Sequence, residues 1–337
     1  MTFLTLPQVG RRIPVAEGQS ILLAALEAGV PYPHGCRSGR CGSCKSHLVS
    51  GDVEIGKHSP FALTDEEKAE GLVLACRSVP TGDVTVEWLD DAYVAKPSAA
   101  QDAEVLSVQA MTHDIVALHL RLADRVAFRF AAGQYLSLTI PGAPSRNYSM
   151  ANRPDEELIE LHVRAVPGGQ TSTRIHGELK AGDTVRIEGP TGAAYLREAH
   201  PGPIVAIAGG SGLAPVKSII ETALHGGSDV PIHLYFGVRA ERDLYLVDHF
   251  RDLERRFANL TFVPVLSQDD AAGWRQGFVT DALAADHATL AGAKAYVAGP
   301  PIMVDAAWAA LSARGVLASD IHADVFFTPQ AEAGKET

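Results

Sequence analysis

Cysteine is scarce in this chain: 337 residues hold four, Cys36, Cys41, Cys44 and Cys76. Everything after Cys76 lacks the residue, which excludes a disulfide framework spread over the molecule. Long apolar runs are missing as well. No uncharged apolar run reaches the roughly 18 residues of a membrane-spanning helix. Positive charge is in deficit, 29 Lys and Arg against 40 Asp and Glu, for a net charge of -11. Such a surface repels nucleic acid and anionic lipid, so neither is an expected partner. Nothing at the N-terminus suggests export, and none is expected: Met1 to Leu6 is too short for an apolar core, and the stretch after Arg11-Arg12 carries Pro14 and Glu17. Repeats and low-complexity segments are absent. What remains is a globular chain, 46% hydrophobic and long enough for two or three domains, expected in the cytoplasm.

The few cysteines are informatively placed. Cys36, Cys41 and Cys44 form C-x4-C-x2-C, and Cys76 follows at a distance, the ligand spacing of a plant-type 2Fe-2S cluster. Ser38, Gly39, Gly42 and Ser43 are small enough to let backbone N–H groups turn inward toward sulfide. Cys76 follows a short helical segment that starts at Thr64 with Glu67 three residues on, a capping-box pattern that sets where the distant thiolate lands. Structural zinc usually takes two close pairs of ligands, and disulfides need an oxidising compartment. All four thiols therefore read as iron ligands. Arg37, Arg40 and Lys45 beside the cysteines have two equal readings, charge compensation for an anionic cluster or docking of a protein acceptor.

Three segments follow one another. Residues 1–92 read as a β-grasp unit, with a hairpin from Phe3–Leu6 and Arg12–Val15, a helix capped by Ser20 that runs through Ala28, and a closing strand Val84–Trp88. Residues 93–102, with Pro97-Ser98-Ala99-Ala100, have the composition of a linker. Residues 103–200 carry short alternating strands separated by turn residues, the pattern of a small antiparallel β-barrel. In residues 201–327 buried strands alternate with helices at 213–224, 244–257 and 301–314, which gives a doubly wound α/β domain. Residues 328–337 are polar and terminal, and read as a disordered tail.

Two further sites emerge from the barrel and the α/β domain. In Arg146-Asn147-Tyr148-Ser149, residues two apart share a strand face, which offers a guanidinium for a phosphate and an aromatic plane for a ring system. Gly168-Gly169-Gln170-Thr171-Ser172 then opens a helical run, an anion site suited to a pyrophosphate. In the α/β domain, strand Ile204–Ala208 runs into Gly209-Gly210-Ser211-Gly212-Leu213-Ala214-Pro215 and a helix, with Pro215 in the first turn where a missing N–H costs nothing. Arg239 to Asp243 and Gly299-Pro300-Pro301-Ile302-Met303 end strands at the same carboxyl edge. An acidic strand end favours an unphosphorylated ribose, whereas Arg239 or Arg242 could bind a 2'-phosphate. NADH is the expected nucleotide, with NADPH the alternative.

These motifs resemble the ferredoxin-NADP reductase superfamily, whose signatures are R-x-Y-S, G-G-x-x-S/T, G-G-x-G-x-x-P and C-G-P-P-x-M. The resemblance implies FAD, with Arg146 at its phosphate region, Tyr148 stacked on the isoalloxazine, Ser149 near N5, and Gly169, Gln170, Thr171 and Ser172 on the diphosphate. It implies nicotinamide nucleotide at Gly210, Gly212, Pro215, Arg239, Gly299 and Pro300. Phe326 would cover the flavin face, with Asp324 near the hydride path, so that Ser149, Asp324 and Phe326 form the catalytic set. The chain departs from the superfamily at Ala298, where a cysteine is usual. The order ferredoxin, FAD barrel, NAD domain is similar to the reductase components of Rieske-type aromatic-ring oxygenases. By that resemblance electrons run from NADH through FAD and the cluster to a terminal oxygenase or a ferredoxin. The same layout also serves diiron monooxygenases and a deoxysugar dehydrase; a redox sensor without turnover and a flavoenzyme hydroxylating its own substrate are further alternatives.

Overall fold

The computed structural model describes residues 2–60, 62–89 and 98–326. Half of the stretch read as a linker, residues 93–97, and all of the stretch read as a tail lie outside these residues. The described chain forms two compact units.

The N-terminal unit is a mixed five-stranded sheet in the order Arg11–Val15, Thr2–Leu6, Val84–Trp88, Lys45–Ser50, Leu72–Leu74. Thr2–Leu6 pairs antiparallel with Arg11–Val15 and parallel with Val84–Trp88, the β-grasp arrangement. Helix Ile21–Glu27 crosses one face and buries Ile21, Leu22, Ala24 and Ala25. Ser20 starts it, its hydroxyl accepting the Leu23 N–H, as N-caps do. A second helix, Asp65–Ala69, begins with the full capping box: Thr64 Oγ1 accepts from Glu67 N–H, and Glu67 accepts from Thr64 N–H. That reciprocal pair sets the entry to strand Leu72–Leu74, two residues before Cys76.

The second unit holds a barrel and a parallel sheet. The barrel strands run Arg146–Ser149, Tyr135–Thr139, Thr184–Thr191, Ala99–Ala110, Ile115–Leu122, Ile159–Arg164, and the bridge between Met150 and Leu161 brings the two ends of the sheet together. Val105, Leu118, Leu136, Leu138 and Leu161 fill its interior. The first strand begins at Ala99, inside the stretch read as linker. Ala99 to Asp102 pair with Gly189 to Arg186, and Asp102 meets Arg186 at 3.0 Å, so a ladder partner overrides small-residue composition. The second sheet runs Arg275–Gln276, Leu260–Leu266, Ile232–Val238, Ile204–Gly209, Lys294–Gly299, Ile321–Val325. Its central strands are parallel, and strand order reverses at Ile204–Gly209, where open α/β sheets bind ligands. Helices Leu213–His225, Val247–Arg256, Val279–Asp286 and Pro301–Ser312 cover it. Among the described residues no helix is long and apolar enough to cross a membrane.

Thr64→Ala is expected to remove the bond that Thr64 Oγ1 accepts from Glu67 N–H and lower the stability of the N-terminal unit by about 1 kcal/mol, read as a lower urea midpoint.

Candidate functional site

The four cysteines are free thiols, Cys36 partly exposed and Cys41, Cys44 and Cys76 buried. Backbone amides are aimed at their sulfurs: Arg40 N and Ser38 N reach Cys36 Sγ at 3.3 and 3.5 Å, Cys36 N reaches Cys41 Sγ at 3.3 Å, and Cys76 N reaches Cys44 Sγ at 3.5 Å. Contact with Cys41, assisted by the Ser38 and Arg40 amides and opposed by burial, holds the Cys36 thiol down to about 5. Contact with Cys44 lowers Cys76 in the same way, while those contacts and burial push Cys41 and Cys44 up, so one sulfur of each pair is favoured as the thiolate an iron cluster takes. The loop is tight because Gly39 lies in the left-handed region, where a Cβ would come within 2.6 Å of Arg77 Cγ.

The three cations near the cysteines separate. Lys45 is only 5% exposed and its ammonium meets Glu67 at 2.6 Å, so it does not face a partner. Arg40 is half-buried and Arg37 exposed. Arg37 donates to His34 Nε2 at 3.0 Å while His34 Nδ1 meets the Tyr32 carbonyl at 2.8 Å, which places the single ring proton on Nδ1. Burial, with Arg37 adding, keeps that imidazole below its ordinary pKa.

In the barrel, Arg146 is exposed, Tyr148 half-buried and Ser149 buried. Burial pushes the Tyr148 phenol up to about 12, so it is a neutral aromatic face at working pH. The helical run opened by Gly168 to Ser172 is helix Gln170–Gly177, which begins inside that motif. Thr171 Oγ1 donates to the Pro144 carbonyl at 2.6 Å and ties this helix to the turn that precedes Arg146. Ser172 Oγ accepts from Val166 N–H at 3.1 Å. Both hydroxyls are therefore engaged within the protein. Gly169, the N-cap, lends no side chain to the first-turn amides, and these are the groups suited to a diphosphate.

In the parallel sheet Gly212 must be glycine, since a Cβ there would stand 2.1 Å from the Ala298 carbonyl oxygen. That approach brings the glycine turn Gly210–Gly212 against the end of strand Lys294–Gly299. Ala298 itself sits in the sheet's apolar core. Phe326 N–H donates to Gly299 O at 2.9 Å, so the terminal aromatic is held beside the Gly299-Pro300 loop. Asp324 lies half-buried on Ile321–Val325. Arg239 is engaged by Asp243 through two bonds, at 3.0 and 3.2 Å. Phe278, beyond the sequence-based expectations, is a 65% exposed aromatic that opens helix Val279–Asp286, and Val279 packs under Gly237 at the sheet's carboxyl edge.

The barrel and the parallel sheet are joined by a second group that the sequence did not reveal. Lys217, buried on helix Leu213–His225, places its ammonium 3.1 Å from Ala151 O, 3.0 Å from Glu160 Oε2 and 3.4 Å from Glu221 Oε2. At the next residue, Ser218 Oγ donates to Asn152 O at 2.7 Å. The helix after the glycine turn is thus fastened to the residues that follow Ser149. In the sequence, Lys217 and Glu221 at i and i+4 look like an exposed helix pair, which hid them.

Family models match three successive stretches of the chain. The 2Fe-2S iron-sulfur cluster binding domain matches residues 4–81, the oxidoreductase FAD-binding domain 102–196, and the oxidoreductase NAD-binding domain 206–308. The ferredoxin–NAD(P)(+) reductase component of the naphthalene 1,2-dioxygenase/salicylate 5-hydroxylase systems of Ralstonia sp is 40% identical over 315 residues, 93% of this chain and 95% of that protein. The chain belongs to this family of iron-sulfur flavoprotein reductase components. The reductase component of phenol 2-monooxygenase from Pseudomonas sp. (strain CF600) is 39% identical, covering 99% of this chain and 97% of that one. Among solved structures, the Amycolatopsis cytochrome P450 reductase aligns with a TM-score of 0.75 at 38% identity, over 97% of this chain and 99% of that chain. The family is an electron-transfer oxidoreductase family with a 2Fe-2S ferredoxin domain, an FAD barrel and an NAD domain, the fold and cofactors expected from the motifs.

Glu160 supplies a stability test. Burial works to raise its carboxyl, but the hydrogen bond from His162 and the charge of Lys217 more than offset this and hold it down to about 2, against an ordinary 4.5. A depressed carboxyl stabilises the fold above its unfolded value and loses that contribution as pH falls. Denaturant midpoints of the FAD and NAD unit should therefore drop between about pH 4.5 and 2, by up to about 3 kcal/mol, and Glu160→Gln should flatten that slope.

Proposed function

We propose that this chain takes hydride from NADH and delivers the electrons one at a time, through its N-terminal cysteine loop, to the terminal oxygenase or ferredoxin of an aromatic-ring oxygenase system. The observation that carries the reading is the presence in one chain of amide-solvated cysteines, an aromatic strand followed by an open helix start, and a glycine turn at a sheet switch point. FAD accepts electrons in pairs and releases them singly, so it supplies the exchange between a hydride donor and one-electron iron.

The chain's own residues then have distinct tasks. Arg146 and the first-turn amides of Gln170–Gly177 hold phosphate; Tyr148 gives a flat neutral face to the ring, and the Ser149 hydroxyl stands beside it. Gly210, Gly212 and Pro215 shape the pyrophosphate turn, while Gly299 and Pro300 line the nicotinamide side. Phe326, held by Gly299, covers the flavin until the nucleotide enters, and Asp324 stands near the hydride path. Cys36, Cys41, Cys44 and Cys76 hold the cluster. Free cysteines reserved for iron suit a reducing, cytoplasmic setting. With Lys45 tied to Glu67, the exposed cation nearest the cluster ligands is Arg37, and an acidic face on the acceptor would complement it. The match to a phenol monooxygenase reductase, at 39% identity, supports a monooxygenase acceptor as the second reading.

Arg239 bears on nucleotide choice. Its guanidinium is neutralised by Asp243, which leaves little charge for a 2'-phosphate. kcat/KM for NADH is expected to exceed that for NADPH by about 10-fold or more, and equal values would refute the preference. Cys41→Ser should abolish NADH-dependent reduction of cytochrome c yet keep that of ferricyanide. Loss of both, with flavin retained, would count against the order of centres.

A further inference from the structure

Behind the glycine turn lies a buried row of polar groups that the ligand-binding motifs do not use. Tyr245, 5% exposed, has its hydroxyl 3.2 Å from the Gly210 carbonyl oxygen and 3.1 Å from His162 Nδ1. His162, with a fully buried side chain, places Nε2 2.8 Å from Glu160 Oε1.

The protons can be counted. Ionised Glu160 only accepts, so His162 Nε2 carries a hydrogen. The Gly210 carbonyl also only accepts, so its bond requires the single hydroxyl proton of Tyr245. His162 Nδ1 must then donate to the Tyr245 oxygen, which needs a second ring proton. With one ring proton, His162 Nδ1 and the Gly210 carbonyl compete for the same hydroxyl. All three contacts are satisfied together only by the imidazolium.

Gly210 matters because it opens the turn Gly210–Gly212, and its carbonyl also accepts the Leu213 N–H. In a planar trans peptide the carbonyl and the following N–H point in opposite directions. Holding the Gly210 carbonyl toward Tyr245 therefore directs the Ser211 N–H away from it, at the start of a helix whose N-cap lends no side chain.

We propose that Tyr245 is a positioning residue for the nicotinamide nucleotide, its hydroxyl fixing the Gly210 peptide plane, with His162 governing that bond by taking up a proton. The inference rests on the reading of the glycine turn as the nucleotide's pyrophosphate seat. Groups facing the pair are Glu160 and Arg164 on the histidine's own strand, His119 on Ile115–Leu122, Lys217 on the helix, and Asp114 toward Tyr245. Burial keeps His162 below its ordinary value, with Lys217 and His119 acting the same way and Glu160 opposing. The second proton is thus gained on the acid side of neutrality, where Glu160 remains ionised. A proton taken up with the ligand means that affinity rises as pH falls.

The test is calorimetric titration of NAD+ into the FAD-loaded protein, with no turnover involved. Wild-type affinity should rise by about 3-fold or more from pH ~8 to pH ~5.5. Tyr245→Phe should bind about 3- to 10-fold more weakly at the acid end and lose the slope, with unchanged flavin absorbance. His162→Asn should also lose the slope while keeping the Tyr245 hydroxyl. Tyr245→Phe affinity within about 2-fold of wild type and an unaltered slope would overturn the proposal. If that variant fails to retain FAD, an unaltered slope in His162→Asn overturns it and a lost slope supports it. No NAD+ binding by the wild-type protein would instead remove the nucleotide reading, and the inference with it.

Discussion

Lys217 carries a charge into a place where water does not go, and the second unit is arranged around satisfying it. An unpaired ammonium there would be strongly destabilising, so three donors must meet three acceptors. Two of those acceptors, Ala151 O and Glu160, belong to the barrel, and the third, Glu221, lies one turn along the same helix. The attraction between Lys217 and the two carboxylates keeps the ammonium charged despite burial. Its geometric consequence outweighs its net energy: it locks the segment after Ser149 to the helix after Gly212. The strand end of the barrel and the helix after the glycine turn thereby share one support, the kind of arrangement that reproducible placement of reacting groups requires.

The cysteine loop solves a different problem by different means. Thiolate sulfur in a mostly buried site needs compensation, and the chain supplies it with main-chain dipoles from Cys36, Ser38, Arg40 and Cys76. Because the amides do this work, side-chain charge can be spared. Lys45 is drawn below the surface to Glu67, where it supports the helix that leads to Cys76, and the chain's exposed face at the cluster keeps Arg37. Relatives named for a dioxygenase system, a phenol monooxygenase and a cytochrome P450 share this chain's length and layout at nearly the same identity.

Much of this was legible in the residues because it depends on local rules. The cysteine spacing, the Thr64 capping box, the Ser20 cap and the glycine turn before Pro215 are each set within a few positions, and the structure reproduces the caps and the turn in detail. Errors arose where a distant partner decides. Ala99 to Asp102 have the composition of a linker but become strand because Arg186 to Gly189 lie alongside. The Thr171 and Ser172 hydroxyls likewise take partners, the Pro144 carbonyl and the Val166 N–H, that nothing in their own stretch of chain announces.

By itself, then, the order of residues determined three cofactor-binding segments and their succession, since ligand spacing, glycine turns and strand alternation are properties of short stretches of chain. Only the folded chain decided which charges are buried and which groups meet across domains. Lys217 and Glu221 look like an exposed pair until the barrel closes over them, and His162 and Tyr245 are 83 residues apart before folding puts them in hydrogen-bond contact. Such contacts follow from the packing of one core against another, and no local pattern encodes them.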